Sequence, residues 1–148
     1  MKLVTQVRYG IRILLDLAMN QGKDVVQMSD ISSRQNISLK YLEQLIRPIK
    51  DAGFVISKRG RKGGHRLSIS PENITLAQIV RIFEKEYGPG EADDDKEGYS
   101  EYQDSLIRKA WDEARTAFYE RLDKVTLADL SIDTTKKLWS DSDLLIFG

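Results

Sequence analysis

The 148-residue sequence contains no cysteine and a single histidine. Without thiols the chain has no disulfides, no thiolate metal site, no thiol redox switch and no cysteine nucleophile. It also lacks a phosphate-cradling loop of the G-x-x-x-x-G-K-[ST] type and paired carboxylates in an apolar pocket. These absences remove the common catalytic arrangements. We therefore predict that the protein is not an enzyme and that it uses no cofactor and no metal ion.

Long apolar runs are absent as well. The longest are far shorter than a membrane-spanning helix. Near the N-terminus, Lys2, Arg8 and Arg12 interrupt the apolar centre that a signal peptide requires. The sequence therefore predicts a cytoplasmic protein with no membrane partner.

The net charge is zero, but the two halves of the chain differ strongly. Residues 1–70 hold 13 Lys and Arg against 5 Asp and Glu, whereas residues 71–148 hold 10 against 18. An imbalance of this kind indicates that the first half faces an anionic polymer or a membrane surface and that the second half does not.

The most basic stretch is SKRGRKGGHRLSIS, over residues 57–70. Glycines permit a turn, and the flanking apolar and polar residues alternate as in half-buried strands, so the stretch predicts a β-hairpin with a cationic tip. Taken alone, it is equally consistent with a solvated basic turn that has no function.

Three helices are predicted before this hairpin. The first follows Thr5 and packs the apolar stripe Val4, Val7, Ile11, Leu14, Leu15 and Ala18. The second covers residues 28–35 and ends at Asn36, which tolerates the left-handed conformation. Ser38 then caps a third helix over residues 39–52.

The third helix has two faces of different character. One is an apolar stripe of Leu42, Leu45, Ile46 and Ile49, and the other is a polar stripe of Lys40, Glu43, Gln44 and Arg47. Two short helices followed by a basic hairpin predict a winged helix-turn-helix, in which the third helix enters the major groove of DNA. Gln44 is suited to an adenine edge and Glu43 to a cytosine amino group. An ordinary solvated helix face is the alternative.

Further helices are predicted after the hairpin. Thr75 and Gln78 form a capping box for a helix that ends near Glu86. A long helix over residues 100–124 carries an apolar stripe whose simplest partner is a second copy of the chain, the alternative being that it folds back on its own domain. Thr126 and Asp129 start another short helix.

Several segments together resemble the Rrf family of bacterial winged-helix transcription regulators, which includes IscR, NsrR and CymR. These segments are VRYGIRILLDLA, ISLKYLEQLIRPIKDAGFVISKRGRKGGHRLS, ITLAQIVRIFE and VTLADL, in that order. The resemblance implies a homodimer that binds palindromic promoter sites. It also implies that Glu43 and Gln44 approach bases, that Ser38 and Tyr41 lie near phosphates, and that Arg59 enters the minor groove.

Two departures from the family pattern stand out. His65 occupies a position where the family usually has Tyr or Phe. The stretch that carries three cysteines in cluster-binding members is here GPGEADDDKEGYSE, which offers no thiolate for an iron-sulfur cluster. The resemblance therefore implies a cysteine-free member without a cluster, which responds to a regulatory protein or a small-molecule effector instead.

The resulting prediction is a mainly α protein with a small β-hairpin. Residues 1–87 form the winged helix-turn-helix domain, residues 88–98 an acidic linker, and residues 99–148 the dimerisation helix and C-terminal tail. We predict a dimeric, sequence-specific repressor that binds a palindromic operator. The alternative is a winged-helix module that docks a partner protein without specific DNA binding.

Three groups of site residues follow from this prediction. The base contacts are Lys40, Glu43 and Gln44. The backbone or minor-groove contacts are Ser38, Tyr41, Arg47, Lys58, Arg59, Arg61 and Lys62. The dimer interface is formed by Ile107, Trp111, Ala114, Phe118 and Leu122.

Overall fold

Helices and one β-hairpin make up the computed structural model, which describes residues 5–22, 24–84 and 101–135. The predicted fold class is confirmed. The acidic segment 91–97 and the tail after residue 135 lie outside the described residues. The elements are α1 (Thr5–Met19), α2 (Met28–Gln35), α3 (Leu39–Asp51), β1 (Val55–Lys58), β2 (Gly64–Leu67), α4 (Leu76–Glu84), α5 (Glu101–Leu122) and α6 (127–135).

Helix α1 packs against α2, α3 and α4 and supplies much of the core. The predicted residues Val7 and Leu14 are buried, and Val4 lies outside the described residues. Ile13 and Leu17, which the predicted stripe did not include, are also buried. The buried face is therefore wider than predicted, because α1 lies between several elements and not against a single one.

The connection from α2 to α3 follows the local sequence closely. Asn36 ends α2 in the left-handed conformation, with φ of 52°. The Ser32 hydroxyl donates to the carbonyl of Ile37 at 2.6 Å, and Ile37 is buried between the two helices. Ser38 then caps α3, so the helix-turn-helix is confirmed at the residues where it was predicted.

The apolar stripe of α3 faces the core, as predicted, and all four of its members are buried: Leu42, Leu45, Ile46 and Ile49. Pro48 lies within the last turns of the helix, and Gly53 follows with φ of 85°. Burial of this stripe orients α3 so that its opposite face points away from the core.

Helix α4 begins with the predicted capping box. The Thr75 N–H donates to Gln78 Oε1 at 2.9 Å, and the Gln78 N–H donates to Thr75 Oγ1 at 3.2 Å. Ile74 and Ile79 beside it are both buried. The first turn of α4 thereby satisfies two backbone groups that would otherwise lack partners.

Helix α5 is joined to α4 at its C-terminal end. The Leu76 N–H donates to the carbonyl of Val125 at 2.9 Å, and the Leu127 N–H donates to the carbonyl of Ile74 at 2.8 Å. The short helix predicted to start at Thr126 and Asp129 is also present as α6, and the Thr126 N–H donates to Asp129 at 2.9 Å and lowers the pKa of that carboxyl. This corner fixes the direction in which α5 leaves the winged helix.

Candidate nucleic-acid interface

The outward face of α3 is polar along its length. Lys40, Glu43, Gln44 and Arg47 are all exposed. Within the described part of the chain, none of these four side chains takes part in a hydrogen bond or an ion pair. Their donors and acceptors are therefore free to bind another molecule.

The N-terminal end of α3 carries Ser38 and Tyr41. The Tyr41 N–H donates to Ser38 Oγ at 3.2 Å, which caps the helix while Ser38 stays exposed. The Tyr41 ring meets the ring of Tyr9 edge to face, with 5.6 Å between centroids, and this contact ties α3 to α1. A helix N-terminus carries a partial positive charge, so this end of α3 suits an anion such as a phosphate.

The predicted hairpin is present as strands β1 and β2, and the wing is its outer part together with the residues that follow it, 57–70. Its strands pair antiparallel, from Val55 opposite Leu67 to Lys58 opposite Gly64. Gly60 turns the tip with φ of 111°, a conformation that residues with a Cβ rarely adopt. The turn leaves the cations of the tip exposed and without an ion pair among the described residues, namely Arg59, Arg61 and Lys62.

The wing is anchored to the segment that precedes α2. The backbone groups of Val26 and His65 exchange two hydrogen bonds, each of 2.8 Å. Gln27 Nε2 donates to the carbonyl of Arg61 at 3.3 Å. A Cβ on Gly64 would collide with the carbonyl of Val26, so the close approach requires glycine. The sequence prediction missed this anchor, for which two adjacent β-branched residues at 25–26 are the available signal.

Lys58 differs from the other wing cations because it is paired within the protein. Its ammonium donates to Asp24 Oδ2 at 2.6 Å, and both side chains are exposed. The hydrogen bond from Lys58, together with its charge, lowers the pKa of Asp24. The charge of Lys58 is therefore partly compensated by Asp24, which competes with a phosphate for it.

His65 lies on β2, opposite Ser57 on β1. Its Nδ1 is 2.8 Å from the Ser57 hydroxyl. Burial lowers the pKa of His65 below its ordinary value of 6.5, and the charge of Lys50 adds to the effect. The imidazole is therefore neutral at pH 7, so the wing's positive charge comes from lysine and arginine side chains alone.

Asp16 is a buried carboxylate that orients the helix-turn-helix, and the sequence prediction missed it. It is 3% exposed on α1 and accepts two hydrogen bonds from Arg34 of α2, at 2.7 and 2.9 Å. Gln35 Nε2 donates to the same carboxylate at 2.9 Å. The bond to Asp16 raises the pKa of Arg34. Because α2 leads directly into α3, this network fixes the angle at which α3 is presented.

The apolar stripe of α5 lies in a different environment from that of α3. Trp111 is 74% exposed and Ile107 is 60% exposed, and Ala114 is also exposed. Phe118 and Leu122 are half-buried against the core. Leu106, which was not in the predicted stripe, is 50% exposed. Several exposed apolar side chains along one helix are typical of a surface that binds another protein.

The residues present do not fit an iron-sulfur cluster. The sequence has no cysteine, and its one histidine belongs to the wing, where it contacts Ser57. Among the described residues, no three His, Asp or Glu side chains are placed to hold a metal ion together. Cluster ligation requires cysteine thiolates with occasional histidine, so the described side chains supply no such site.

The fold and this surface define a winged-helix DNA-binding protein. Comparison with known families then gives the particular one: residues 3–133 match the Rrf2 family model, described as an iron-dependent transcriptional regulator. The chain is 41% identical over 135 residues to the protein Rrf2 of Nitratidesulfovibrio vulgaris, a match that covers 91% of this chain and 90% of that protein.

Solved structures agree with this assignment. The CymR of Bacillus subtilis superimposes with a TM-score of 0.69 at 37% identity, covering 88% of this chain and 96% of that one. The IscR of T. potens superimposes with a TM-score of 0.71 at 31% identity, covering 90% of this chain and 88% of that one.

The chain belongs to the Rrf2 family. It is a DNA-binding transcription regulator and, like the regulators it resembles, not an enzyme. Among the described residues, no helix is long and apolar enough to cross a bilayer.

Proposed function

We propose that the protein is a homodimeric repressor that binds a palindromic operator, with residues 39–52 in the major groove and the wing at the minor groove. The observation that carries this proposal is the polar face of α3. This face carries four exposed side chains that have no partner among the described residues, and the other face of the helix is buried in the core. A recognition helix requires this division of faces.

Base contacts are assigned to Lys40, Glu43 and Gln44. The Gln44 amide is suited to the N6 and N7 atoms of adenine, and the Glu43 carboxylate accepts from the amino group of cytosine. Glu43 is informative because a carboxylate is repelled by phosphates. Its free position on this face favours a contact with base edges over attraction to the DNA backbone.

Backbone and minor-groove contacts are assigned to residues on both sides of α3. On and beside the helix these are Ser38, Tyr41 and Arg47, and on the wing they are Lys58, Arg59, Arg61 and Lys62. Arg59 follows directly after β1 and is exposed at the tip, so we assign it to the minor groove. Lys58 contributes less than its neighbours because Asp24 competes with phosphate for its charge.

Dimerisation is assigned to α5, within residues 99–148, through Ile107, Trp111, Ala114, Phe118 and Leu122. A two-fold axis across α5 would cover the exposed indole of Trp111 and the side chain of Ile107 with the same surface of a second copy. Leu106 joins this surface because of its exposure. A dimer also supplies the two recognition helices that a palindrome requires.

The signal is assigned to a regulatory protein or a small-molecule effector and not to a cluster, since the chain has no thiolate ligands. The mass of the native complex isolated from cells tests the dimer and the effector together. A mass of two chains plus a bound partner or small molecule supports both assignments. A mass of one chain contradicts the dimer.

Operator binding is tested by titrating the protein on its own upstream DNA and on a random duplex at several salt concentrations. We expect tighter binding to the upstream DNA, and we expect affinity to fall steeply with salt because phosphate contacts release counterions. An affinity that depends on neither the DNA sequence nor the salt concentration would favour the alternative, a module that docks a partner protein.

Two variants assign the roles within this experiment. Arg59→Ala is expected to weaken binding to the upstream DNA at least tenfold while the protein remains a dimer. Gln44→Ala is expected to reduce the ratio of specific to random binding by about tenfold, the value of one lost bidentate base contact. An unchanged ratio would remove Gln44 from base recognition, and loss of the dimer in Arg59→Ala would contradict the assignment of the wing.

A further inference from the structure

Leu39 is an exposed aliphatic side chain on the helix assigned to the major groove. It is 44% exposed, whereas the other leucines and isoleucines of α3 are all buried. Leu39 is therefore not part of the stripe that attaches α3 to the core. It also lies on a different helix from the exposed apolar surface of α5, to which the dimer is assigned.

The position of Leu39 is set by the cap of α3. Ser38 caps the helix, so Leu39 is its first residue. Glu43 follows four residues later, and side chains at this spacing lie in one row along a helix. Leu39 thus continues the row of Glu43 towards the N-terminus of α3. In helix-turn-helix proteins, the N-terminal residues of the recognition helix contact the base edges.

The major groove offers one kind of apolar group to a leucine in this position. Base edges present hydrogen-bond donors and acceptors, and thymine adds its C5-methyl group. An aliphatic side chain that loses water against polar base edges gains little, whereas contact with a methyl group buries apolar surface on both sides. We propose that Leu39 is a specificity-determining residue that selects thymine by packing against its 5-methyl group. This inference rests on the proposed operator binding.

The test compares thymine with uracil, which differ only by this methyl group. The probe is a duplex that the wild-type protein enriches from a random-sequence pool, synthesised with each thymine replaced in turn by uracil. We expect one thymine in each half-site at which uracil weakens wild-type binding about fourfold, as for the loss of one buried methyl-sized group. For Leu39→Ala, we expect thymine and uracil at that position to be bound equally well.

Met19→Ala provides a matched control, because Met19 is also 44% exposed but lies at the end of α1. This variant is expected to keep the wild-type sensitivity to uracil. If the wild-type protein enriches no sequence, the proposed operator binding fails. If it enriches a sequence but no thymine is sensitive to uracil, or if Leu39→Ala keeps the sensitivity, the inference about Leu39 fails while operator binding stands.

Discussion

The two amphipathic helices α3 and α5 differ in how much of their apolar stripe is buried. In α3 the four stripe residues are buried by the rest of the winged helix, and the polar face is left without partners among the described residues. In α5 Trp111 and Ile107 are exposed, whereas Tyr119 is buried against the core. Among the described residues, the apolar stripe of α3 is covered by the rest of the chain, whereas the exposed part of the α5 stripe is not.

This difference separates the two surfaces to which DNA binding and dimerisation are assigned. The exposed face of α3 is polar and suits the edges of base pairs. The exposed face of α5 is apolar and suits a second protein surface. Backbone hydrogen bonds join the corner at residues 123–127 to Ile74 and to Leu76 at the start of α4, and α4 packs against both α3 and α5. In the proposed dimer, a change in the pairing of α5 would therefore change the spacing of the two recognition helices.

The largest effect is expected for Leu42→Ala. Leu42 is fully buried in the α3 stripe, so its truncation should lower the free energy of unfolding by about 2 to 5 kcal/mol. Urea denaturation measures this change. The matched control is Leu39→Ala, the same truncation at an exposed position of the same helix, for which we expect a change within about 0.5 kcal/mol. Equal losses in the two variants would contradict the orientation of α3.

The next effect is expected for Trp111→Glu. A charge in the middle of the α5 stripe should raise the dimer dissociation constant at least about thirtyfold, as for the loss of an aromatic hot spot. Sedimentation velocity over a range of concentrations measures it, and circular dichroism should show that the helices remain. Thr116→Glu is the control, because it places the same charge at an exposed position on another face of α5. If Trp111→Glu remains a dimer, the interface lies elsewhere.

Features that depend on a few neighbouring residues were predicted from the sequence with little error. The bounds of α2, the left-handed Asn36, the Ser38 cap and the capping box at Thr75 all agree with the structure. Each follows from side chains that bond to backbone within four residues, which are interactions that sequence spacing determines. The division of α3 into a buried and a polar face follows likewise from helical periodicity.

Features that join distant parts of the chain were missed. Asp16 is bonded to Arg34, 18 residues away, and the wing is bonded to Val26, which lies outside both of its strands. Nothing in the local pattern distinguishes Asp16 from a solvated acid, and nothing distinguishes Lys58, which is paired with Asp24, from the free cations beside it. The tertiary fold determines pairs of this kind. A count of the basic residues in the wing therefore overestimates the positive charge that is available to bind an anion.

A smaller effect is expected from pH, and it should act on the winged helix and not on α5. Burial lowers the pKa of His65 in the folded protein, so the unfolded chain binds the proton more tightly. The contribution of neutral His65 to the free energy of unfolding is therefore present above about pH 6.5, and it is lost as the pH falls below that value. Urea denaturation between pH 7.5 and pH 5.5 should show a decline that His65→Phe reduces. An identical decline in both proteins would mean that His65 is not its source.

The smallest effect is expected for Asp24→Asn, which alters the charge beside the wing and leaves α5 unchanged. The substitution removes the carboxylate that holds Lys58, so Lys58 becomes available for a phosphate. Each wing that gains one phosphate contact should steepen the plot of log K against log salt by about 0.9, with tighter binding at low salt. The same substitution in a Lys58→Ala background should have no such effect. A steeper slope without Lys58 would mean that Asp24 repels DNA directly instead of restraining the lysine.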